Sequence, residues 1–288
     1  MERTIKKRLL GDPRYRFSGF ILFVLIAVSF IGPLVWNIDV YKTNAGNSFD
    51  LPSTTHLLGT DALGRDVAVR IILGARTSIL VGLVSTLTTG IIAFFVGWIS
   101  AYNLLLLDRL LMRITDLFLG VPPLLFLLLV EMIFRNTGKS TFSRNAISVS
   151  IFIGLVSWME LARLLRVSFR NSFSTEYVIA ARSLGGSEGY VFWKHILPNS
   201  YNLIIVNSTL IFGSSILYES GLSYLGFGIQ PPFPSLGNLI QSAQLYLFTA
   251  PWLGIFPGVV ISVIIVCVNL VGDSLADATN PKVVRRIV

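Results

Sequence analysis

The sequence predicts an all-α membrane protein with six transmembrane helices. Hydrophobic residues make up 53% of its 288 residues and charged residues only 13%, whereas a soluble domain carries about 25% charged residues. The mean hydropathy is +0.72. A helix that spans a bilayer needs about 20 predominantly apolar residues. Segments of suitable length and composition lie near residues 18–36, 78–102, 117–134, 146–165, 203–221 and 253–272.

The composition also excludes several classes of function. The single cysteine, Cys267, lies in an apolar run, so the chain has no disulfide framework and no thiolate metal cluster. The net charge of +8 is dispersed over loops between apolar segments, which argues against nucleic-acid binding. The basic stretch 1–17 precedes an apolar run without a small-x-small cleavage site, so we expect an uncleaved first helix.

The distribution of basic residues predicts the orientation in the membrane. Of the 23 Lys and Arg residues, 16 fall in the two termini, in the connector 103–116 and in the loop 163–200, and only seven in the other loops. Cytoplasmic loops are enriched in Lys and Arg. We therefore expect both termini and the 163–200 loop in the cytoplasm.

Two polar stretches are expected on the opposite side. In loop 37–77, Asp61, Arg65 and Asp66 are close enough in sequence to form an ion-pair cluster, for which the spacing alone favours an architectural turn motif. Glu219 is expected near a membrane interface, at the start of segment 219–237. That segment cannot form a regular helix, and it is either a re-entrant or gate segment or a plain exposed loop, because it contains Gly226, Gly228, Pro231, Pro232 and Pro234.

The polar segment 176–201 predicts two short helices joined by a turn. Gly185 and Gly186 allow the turn without a Cβ penalty. Ser187 is suited to cap the second helix, and Pro198 is expected to end it. Its apolar residues at three- and four-residue spacing would share a face that packs against the first helix or the membrane, or fills a groove on a soluble partner. They are Tyr190, Trp193 and Leu197.

The same segment carries a family resemblance. Ala180 and Ala181, followed by Gly185 and the Leu197-Pro198 pair, resemble the EAA loop of the membrane subunits of binding-protein-dependent ATP-binding-cassette importers. Ile179 and His195 depart from the short consensus, which has Glu and Ile there. The fuller string AARSLGGS…HILPN is similar to the dipeptide/oligopeptide/nickel branch, in which both replacements are usual.

Three further strings resemble the C-type permease of that branch. Residues 56–70, HLLGTDALGRDVAVR, match its H-x-LGTD-x-x-GRD-x-x-x-R signature, and residues 219–234 match E-x-x-LS-x-LG-x-G-x-x-PP-x-P. Leu236 follows where the family has Trp. Residues 272–282 look like a degraded form of the family's GD-x-LRD-x-x-DPR tail.

The resemblance implies the MetI-like permease fold of a type I importer in the bacterial cytoplasmic membrane. Residues 1–77 would form the N-terminal cytoplasmic segment, first helix and extracytoplasmic loop. Residues 78–272 would form the core, with a coupling loop at 171–200, and residues 273–288 a cytoplasmic tail. The implied partners are a second homologous permease in a heterodimer, two cytoplasmic ATPase subunits and an extracytoplasmic substrate-binding protein.

The resemblance also implies roles for residues and ligands. ATP and Mg would be bound by the ATPase subunits, with no cofactor or metal in this chain, and the substrate would be a dipeptide, an oligopeptide, nickel or a metal–opine chelate. ATPase coupling would fall to Ala180, Ala181, Gly185, Ser187, Tyr190, Trp193, His195, Leu197 and Pro198. Gate or structural roles would fall to Asp61, Arg65, Asp66, Glu219, Gly226, Gly228, Pro231 and Pro232.

Enzymatic alternatives fit the residues poorly. The string NTGKS at 136–140 resembles a P-loop, but Ile133 occupies the first glycine position and no strand precedes it. His56 and His195 lie in predicted loops, which excludes an HExxH metalloprotease and an intramembrane Ser–His dyad. The remaining alternative is a channel or scaffold that is not coupled to ATP, which would not need apolar side chains exposed on segment 176–201.

Overall fold

The computed structural model describes residues 8–35, 46–102, 105–136, 146–231 and 233–279. Residues 1–7, Pro232, the P-loop-like glycine and lysine at 138–139 and the tail from residue 280 lie outside this part of the chain. The helices are α1 Pro13–Val35, α2 Val67–Ala101, α3 Leu105–Leu119, α4 Pro123–Asn136, α5 Ala146–Phe173, α6 Glu176–Ser183, α7 Glu188–Val191, a π-helix Phe192–Ile196, α8 Leu197–Tyr224, α9 Leu236–Ala243, a 3₁₀ turn Gln244–Tyr246 and α10 Trp252–Thr279.

The helices account for the predicted spans. Five of them are long and apolar enough to cross a membrane, and α3 with α4 makes a sixth span if the bent pair is taken as one. Several are longer than predicted: α2 begins at Val67 rather than near residue 78 and runs for 35 residues, and α5 continues to Phe173.

The third span differs from its prediction. The sequence predicts a loop over 103–116 and one helix over 117–134, but α3 already begins at Leu105, and a bend of 93° separates Leu106–Leu119 from Pro123–Ile133. Pro122 and Pro123 cause the break, because neither has an N–H to continue the hydrogen bonding of α3.

Ion pairs explain why the charged connector is helical. Both oxygens of Asp108 accept hydrogen bonds from the Arg166 guanidinium, each at 2.5 Å. Asp116 pairs with Arg163, and both arginines lie on α5. The acidic residues of α3 therefore face basic residues of a neighbouring helix.

Small residues let α2 and α5 pack closely at the centre of the bundle. A Cβ on Gly97 would lie 2.9 Å from the Cβ of Leu165, and a Cβ on Gly154 only 2.5 Å from that of Thr88. The Thr89 hydroxyl donates to the carbonyl oxygen of Gly154 at 3.3 Å. Small residues let the backbones of two helices approach closely. Such close packing matters in a membrane, because lipid tails are as apolar as the side chains and no hydrophobic effect drives the helices together.

The loop before α2 is held by a cluster of side chains that we call the clasp, comprising residues 46–66 and Arg70. Asp61 is its centre: one carboxylate oxygen accepts from the backbone N–H groups of Leu63 and Arg65, at 2.8 and 3.0 Å. The other accepts from the side chains of Arg65 and Arg70, at 2.7 and 2.6 Å. Arg70 is buried, so the Asp61 carboxylate is the counter-charge that compensates its guanidinium.

Asp66 has a different role in the clasp from that of Asp61. One of its oxygens accepts from the N–H groups of Ala68 and Val69, which caps the first turn of α2. The other lies 2.9 Å from Nδ1 of His56. Asp66 thus fixes where α2 begins and ties the middle of the loop, at His56, to it.

The clasp keeps Asp61 ionised. Burial raises the pKa of Asp61, but the N–H groups of Arg65 and Leu63 and the charges of Arg65 and Arg70 outweigh it and lower the pKa. A carboxylate with a depressed pKa contributes stability above its unfolded pKa of about 4, and this stability is lost as the pH falls through the folded pKa. The clasp is therefore complete at neutral pH.

We expect Asp61→Asn to destabilise the chain by about 3 kcal/mol, because it leaves the buried Arg70 guanidinium without its counter-charge. The thermal unfolding midpoint of the purified protein in detergent measures this loss. Asp277→Asn is the control, since Asp277 pairs with Arg14 in an exposed position and such pairs contribute at most about 1 kcal/mol. Equal shifts for the two variants would contradict the role of the clasp.

Candidate functional site

Residues 176–198 project from one end of the bundle, and we call this projection the knob. It contains α6, the glycine turn, α7 and the π-helix. Its buried side chains include Val178, Val191 and Ile196, which join a core shared with α2 and α5. The ring of Phe192 lies 5.3 Å from that of Trp98 on α2 and 5.2 Å from that of Phe169 on α5. This aromatic anchor fixes the knob to two long helices.

The glycine turn has the predicted form. The N–H of Gly186 donates to the carbonyl of Ala181 at 3.1 Å, and that of Gly185 to Arg182 at 2.9 Å, which is the Schellman pattern of a helix end. Gly185 occupies its left-handed position with φ of 84°. The hydroxyl of Ser187 then accepts from the N–H of Tyr190 at 3.3 Å and caps α7.

Pro198 does not end the helix, contrary to the prediction. Residues Phe192–Ile196 form a π-helix, and the N–H of Leu197 donates to the carbonyl of Phe192. Pro198 follows as the second residue of α8, so the helical run passes through the proline. The knob is therefore continuous with α8 in one helical run, Glu188–Tyr224.

The π-helix also changes which side chains share a face. Tyr190 and Trp193 are 55% and 54% exposed, but Leu197 is only 6% exposed and packs in the core with Ile196. A π-turn contains more residues than an α-turn, so Leu197 lies off the face predicted for it.

The large apolar side chains that the knob exposes are those of Tyr177, Ile179, Leu184, Tyr190 and Trp193. We call the part formed by Tyr177 and Tyr190, which both lie near the His195 ring, the knob face. The Trp193 ring also contacts Phe94 and Trp98 of α2.

The other predicted coupling residues differ in their exposure. Ala180, Pro198 and Ser187 are exposed, and Ala181 and His195 are half-buried. The His195 ring lies between two tyrosines of the knob face, with ring centroids 5.8 Å from Tyr190 and 6.4 Å from Tyr177.

At the other end of the bundle, Glu219 is fully buried. Its carboxylate accepts from the hydroxyls of Ser78 on α2 and Ser223 on α8, at 3.2 and 2.7 Å. Ser223 in turn accepts from the N–H of Ile229 at 3.0 Å. Glu219 therefore connects α2, α8 and the segment that follows α8.

That segment is folded against the bundle and is not a plain exposed loop. Ile229 and Ser235 are buried, although Pro231 is exposed. The side-chain amide of Asn238 donates to the carbonyls of Ile229 and Phe233, at 3.2 and 2.8 Å. The chain then returns along the bundle as α9, much of which is buried.

Two glycines permit this path. Gly226 has a φ of 82°, which favours glycine. A Cβ on Gly228 would lie 2.2 Å from the hydroxyl oxygen of Ser223. The sequence-based interpretation recognised both glycines, but it assigned no role to Ser78, Ser223 and Asn238, of which only Ser223 lies in a quoted motif.

Comparisons with known proteins decide the family. Residues 91–285 match the family described as binding-protein-dependent transport system inner membrane component. The chain belongs to this family. It is thus a non-catalytic permease component of an ATP-binding-cassette importer, located in an inner membrane, and it works with a binding protein and an ATPase subunit.

Several curated proteins resemble this permease over most of its length. A putative peptide permease protein of Brucella suis is 36% identical over 248 residues, 85% of this chain and 78% of that protein. The dipeptide transport system permease protein DppC of Alkalihalophilus pseudofirmus is 35% identical over 90% of this chain and 82% of its own length. The oligopeptide transport system permease protein OppC of Bacillus subtilis is 34% identical over 92% and 84%.

A solved structure confirms the MetI-like fold. The permease superimposes on a chain of the inward-facing MetNI methionine ABC transporter with a TM-score of 0.59, covering 73% of this chain and 96% of that one. The sequence identity is 16%, so this likeness concerns the fold alone.

We expect Gly185→Ala to destabilise the knob turn by about 1–2 kcal/mol, because a residue with a Cβ is strained in the left-handed conformation. Gly189→Ala is the matched control, since a Cβ at either glycine would meet no atom within 4 Å and only Gly185 has a positive φ. Hydrogen exchange of the amides of residues 183–191 should be roughly tenfold faster in the first variant alone. Equal exchange in both variants would show that the turn does not depend on Gly185.

Proposed function

We propose that this permease conducts peptides and couples their movement to ATP hydrolysis through the knob. The observation that carries the proposal is the set of exposed apolar side chains on the knob, which is itself anchored to α2 and α5. Large exposed apolar residues grouped on one surface mark protein interfaces. Tyr190 and Trp193 are of the types enriched among the residues that dominate binding energy. An ATPase subunit is the partner proposed for this face.

The attachment of the knob to the long helices supports a mechanism in which the knob and these helices move as one rigid body. Phe192 packs between α2 and α5, and the π-helix continues directly into α8. A displacement of the knob would therefore move three long helices together. Since α8 also carries Glu219 and Ser223, the same displacement would reach the buried polar cluster at its far end.

The energy for transport would come from linkage between ATP binding and the conformation of the pore. ATP and Mg would be bound by two ATPase subunits, whose closed and open states would bind the knob face in different geometries. A ligand shifts a conformational equilibrium only through its different affinities for the two states. ATP binding would thus drive the pore between inward- and outward-open states, and the substrate would arrive from the extracytoplasmic binding protein.

The pore is proposed to form between this chain and a second homologous permease. The distribution of Lys and Arg supports an orientation with the knob and both termini in the cytoplasm. The knob could meet an ATPase only on that side. The clasp and the segment after α8 would then face the binding protein.

Peptides are the proposed substrates because relatives at 34–36% identity carry the names of peptide, dipeptide and oligopeptide permeases. Nickel and metal–opine chelates, which the sequence resemblance also suggested, are the competing substrates. Uptake by the reconstituted transporter decides between them, with labelled dipeptides, labelled oligopeptides and nickel chelates offered in parallel. Uptake of nickel chelates without uptake of peptides would overturn the proposed substrate class.

We expect Tyr190→Asp and Trp193→Asp to release the ATPase subunits, because each places a charge in an apolar contact. A tagged chain purified from its native membrane, with co-purifying proteins identified, measures this loss. Leu245→Asp is the control, as Leu245 is exposed at the opposite end of the bundle. The second permease should be recovered with all three variants.

Two results of this experiment would contradict the proposal. Retention of the ATPases by both knob variants would place the coupling surface elsewhere. Recovery of the wild-type chain alone, under conditions that preserve complexes, would favour the channel or scaffold that is not coupled to ATP.

The orientation makes a separate prediction. In a Cys267→Ala background, Leu57→Cys in the clasp should react with a membrane-impermeant maleimide added to intact cells or spheroplasts, whereas Leu184→Cys in the knob should react only after lysis. Both positions are exposed side chains, so the contrast reports the side of the membrane. The reverse pattern would overturn the proposed topology.

A further inference from the structure

A cavity lies at the base of the knob, where the knob meets the ends of α2 and α5. Its volume is about 460 Å³, which is within the range of sites that hold small molecules. Tyr102 lines it from the end of α2, and Arg170 and Phe173 line it from the end of α5. Arg182 and Glu188 line it from the knob. The cavity is therefore shared between the knob and the two long helices to which the knob is anchored.

Arg170 brings to this cavity a charge that its neighbours compensate weakly. The carboxylate of Asp108 already accepts from Arg166 with both oxygens, each at 2.5 Å. Arg170 approaches that carboxylate only to 3.6 Å, and 48% of its side chain is exposed. Within the described chain Arg170 makes no hydrogen bond, so its N–H groups are available to a ligand in the cavity.

Arg182 faces the same cavity from the knob. One of its Nη atoms donates to the Glu188 carboxylate at 2.8 Å, and its guanidinium carbon lies 5.0 Å from the centroid of the Phe173 ring. These contacts hold the guanidinium at the cavity wall. Its other N–H groups have no hydrogen-bond partner in the part of the chain that the structure describes. The wall thus carries two arginines against one carboxylate, a net positive charge.

Apolar side chains of α2 lead from membrane depth to the cavity. Phe95 and Ile99 are 50% and 38% exposed. Tyr102 follows them at a spacing that places the three side chains on one side of the helix. The predicted spans 78–102 and 146–165 end close to the cavity, where hydrocarbon gives way to water and tyrosine is common.

The chemistry of the cavity favours a phosphate group as its ligand. A guanidinium fits the oxygens of a phosphate with parallel N–H donors, and two guanidinium groups on opposite walls suit an anion with several acceptor oxygens. Basic cavities between membrane helices on the cytoplasmic side bind the headgroups of anionic lipids. The apolar side chains beside the cavity would contact acyl chains, which a free phosphate compound lacks.

We propose that this cavity binds the phosphate headgroup of an anionic phospholipid from the leaflet on the knob side. Arg170 and Arg182 would hold the phosphate, and the acyl chains would lie along Phe95 and Ile99. The lipid would thus join the knob to α5. The described residues that line the cavity include none of the exposed apolar residues proposed to bind the ATPase, so this site is separate from the coupling surface and does not depend on the transported substrate.

Cysteine labelling of the tagged chain, purified with the subunits that accompany it, tests this site. In the Cys267→Ala background, Ser174→Cys places a thiol at an exposed position in the cavity wall. Leu57→Cys is the control, because it is an exposed position in the clasp at the opposite end of the bundle. Each variant is labelled with N-ethylmaleimide in micelles that contain phosphatidylcholine or phosphatidylglycerol with the same acyl chains.

Phosphatidylglycerol should protect position 174 alone. At a concentration about ten times the dissociation constant, the lipid would fill the cavity for about nine-tenths of the time, so labelling at position 174 should slow about tenfold. Labelling at position 57 should not change. Phosphatidylcholine should protect neither position, because it carries no net negative charge.

Variants of the charged wall separate a phosphate site from a general effect of the lipid. Arg170→Gln should lower the affinity about tenfold through the loss of a charge-assisted hydrogen bond, which would leave about twofold protection. Arg14→Gln, which removes an exposed arginine outside the cavity, should retain full protection. Glu188→Gln removes the opposing carboxylate and should lower the lipid concentration that gives half-protection.

Three results would overturn the proposal. Full protection in Arg170→Gln would show that the phosphate does not bind at this wall. Equal protection by glycerol phosphate or inorganic phosphate at the same concentration would assign the cavity to a free phosphate compound instead of a lipid. Failure of position 174 to react in phosphatidylcholine would show that a partner subunit fills the cavity.

Discussion

Backbone N–H and C=O groups that cannot reach water must find partners within the protein, and most of this structure follows from that constraint. In hydrocarbon an unsatisfied backbone group costs several kcal/mol, so the chain crosses the membrane as long helices. Several departures from regular helix have partners within the protein. Asp66 caps α2, Ser223 and Asn238 bond the segment after α8, and a π-turn carries the helix past Pro198.

The π-helix at Phe192–Ile196 determines how the knob is joined to the long helices. The sequence predicts that the second helix of the knob ends at Pro198. The π-turn instead makes it continuous with α8, and the Phe192 anchor fixes it to α2 and α5. The π-turn also moves the Leu197 side chain from the exposed side predicted for it into the core.

The sequence by itself determined the fold class, the number of spans and the family, because hydropathy, charge bias and local motifs are properties of short segments. It also located the knob turn, since Gly185 and Ser187 act within a few residues of themselves. Only the tertiary structure decided the burial of Leu197 and Glu219, the pairing of Asp61 with Arg70 and the bend after α3. These depend on which helices meet, and a one-dimensional pattern cannot specify contacts between residues as distant as Ser78 and Glu219.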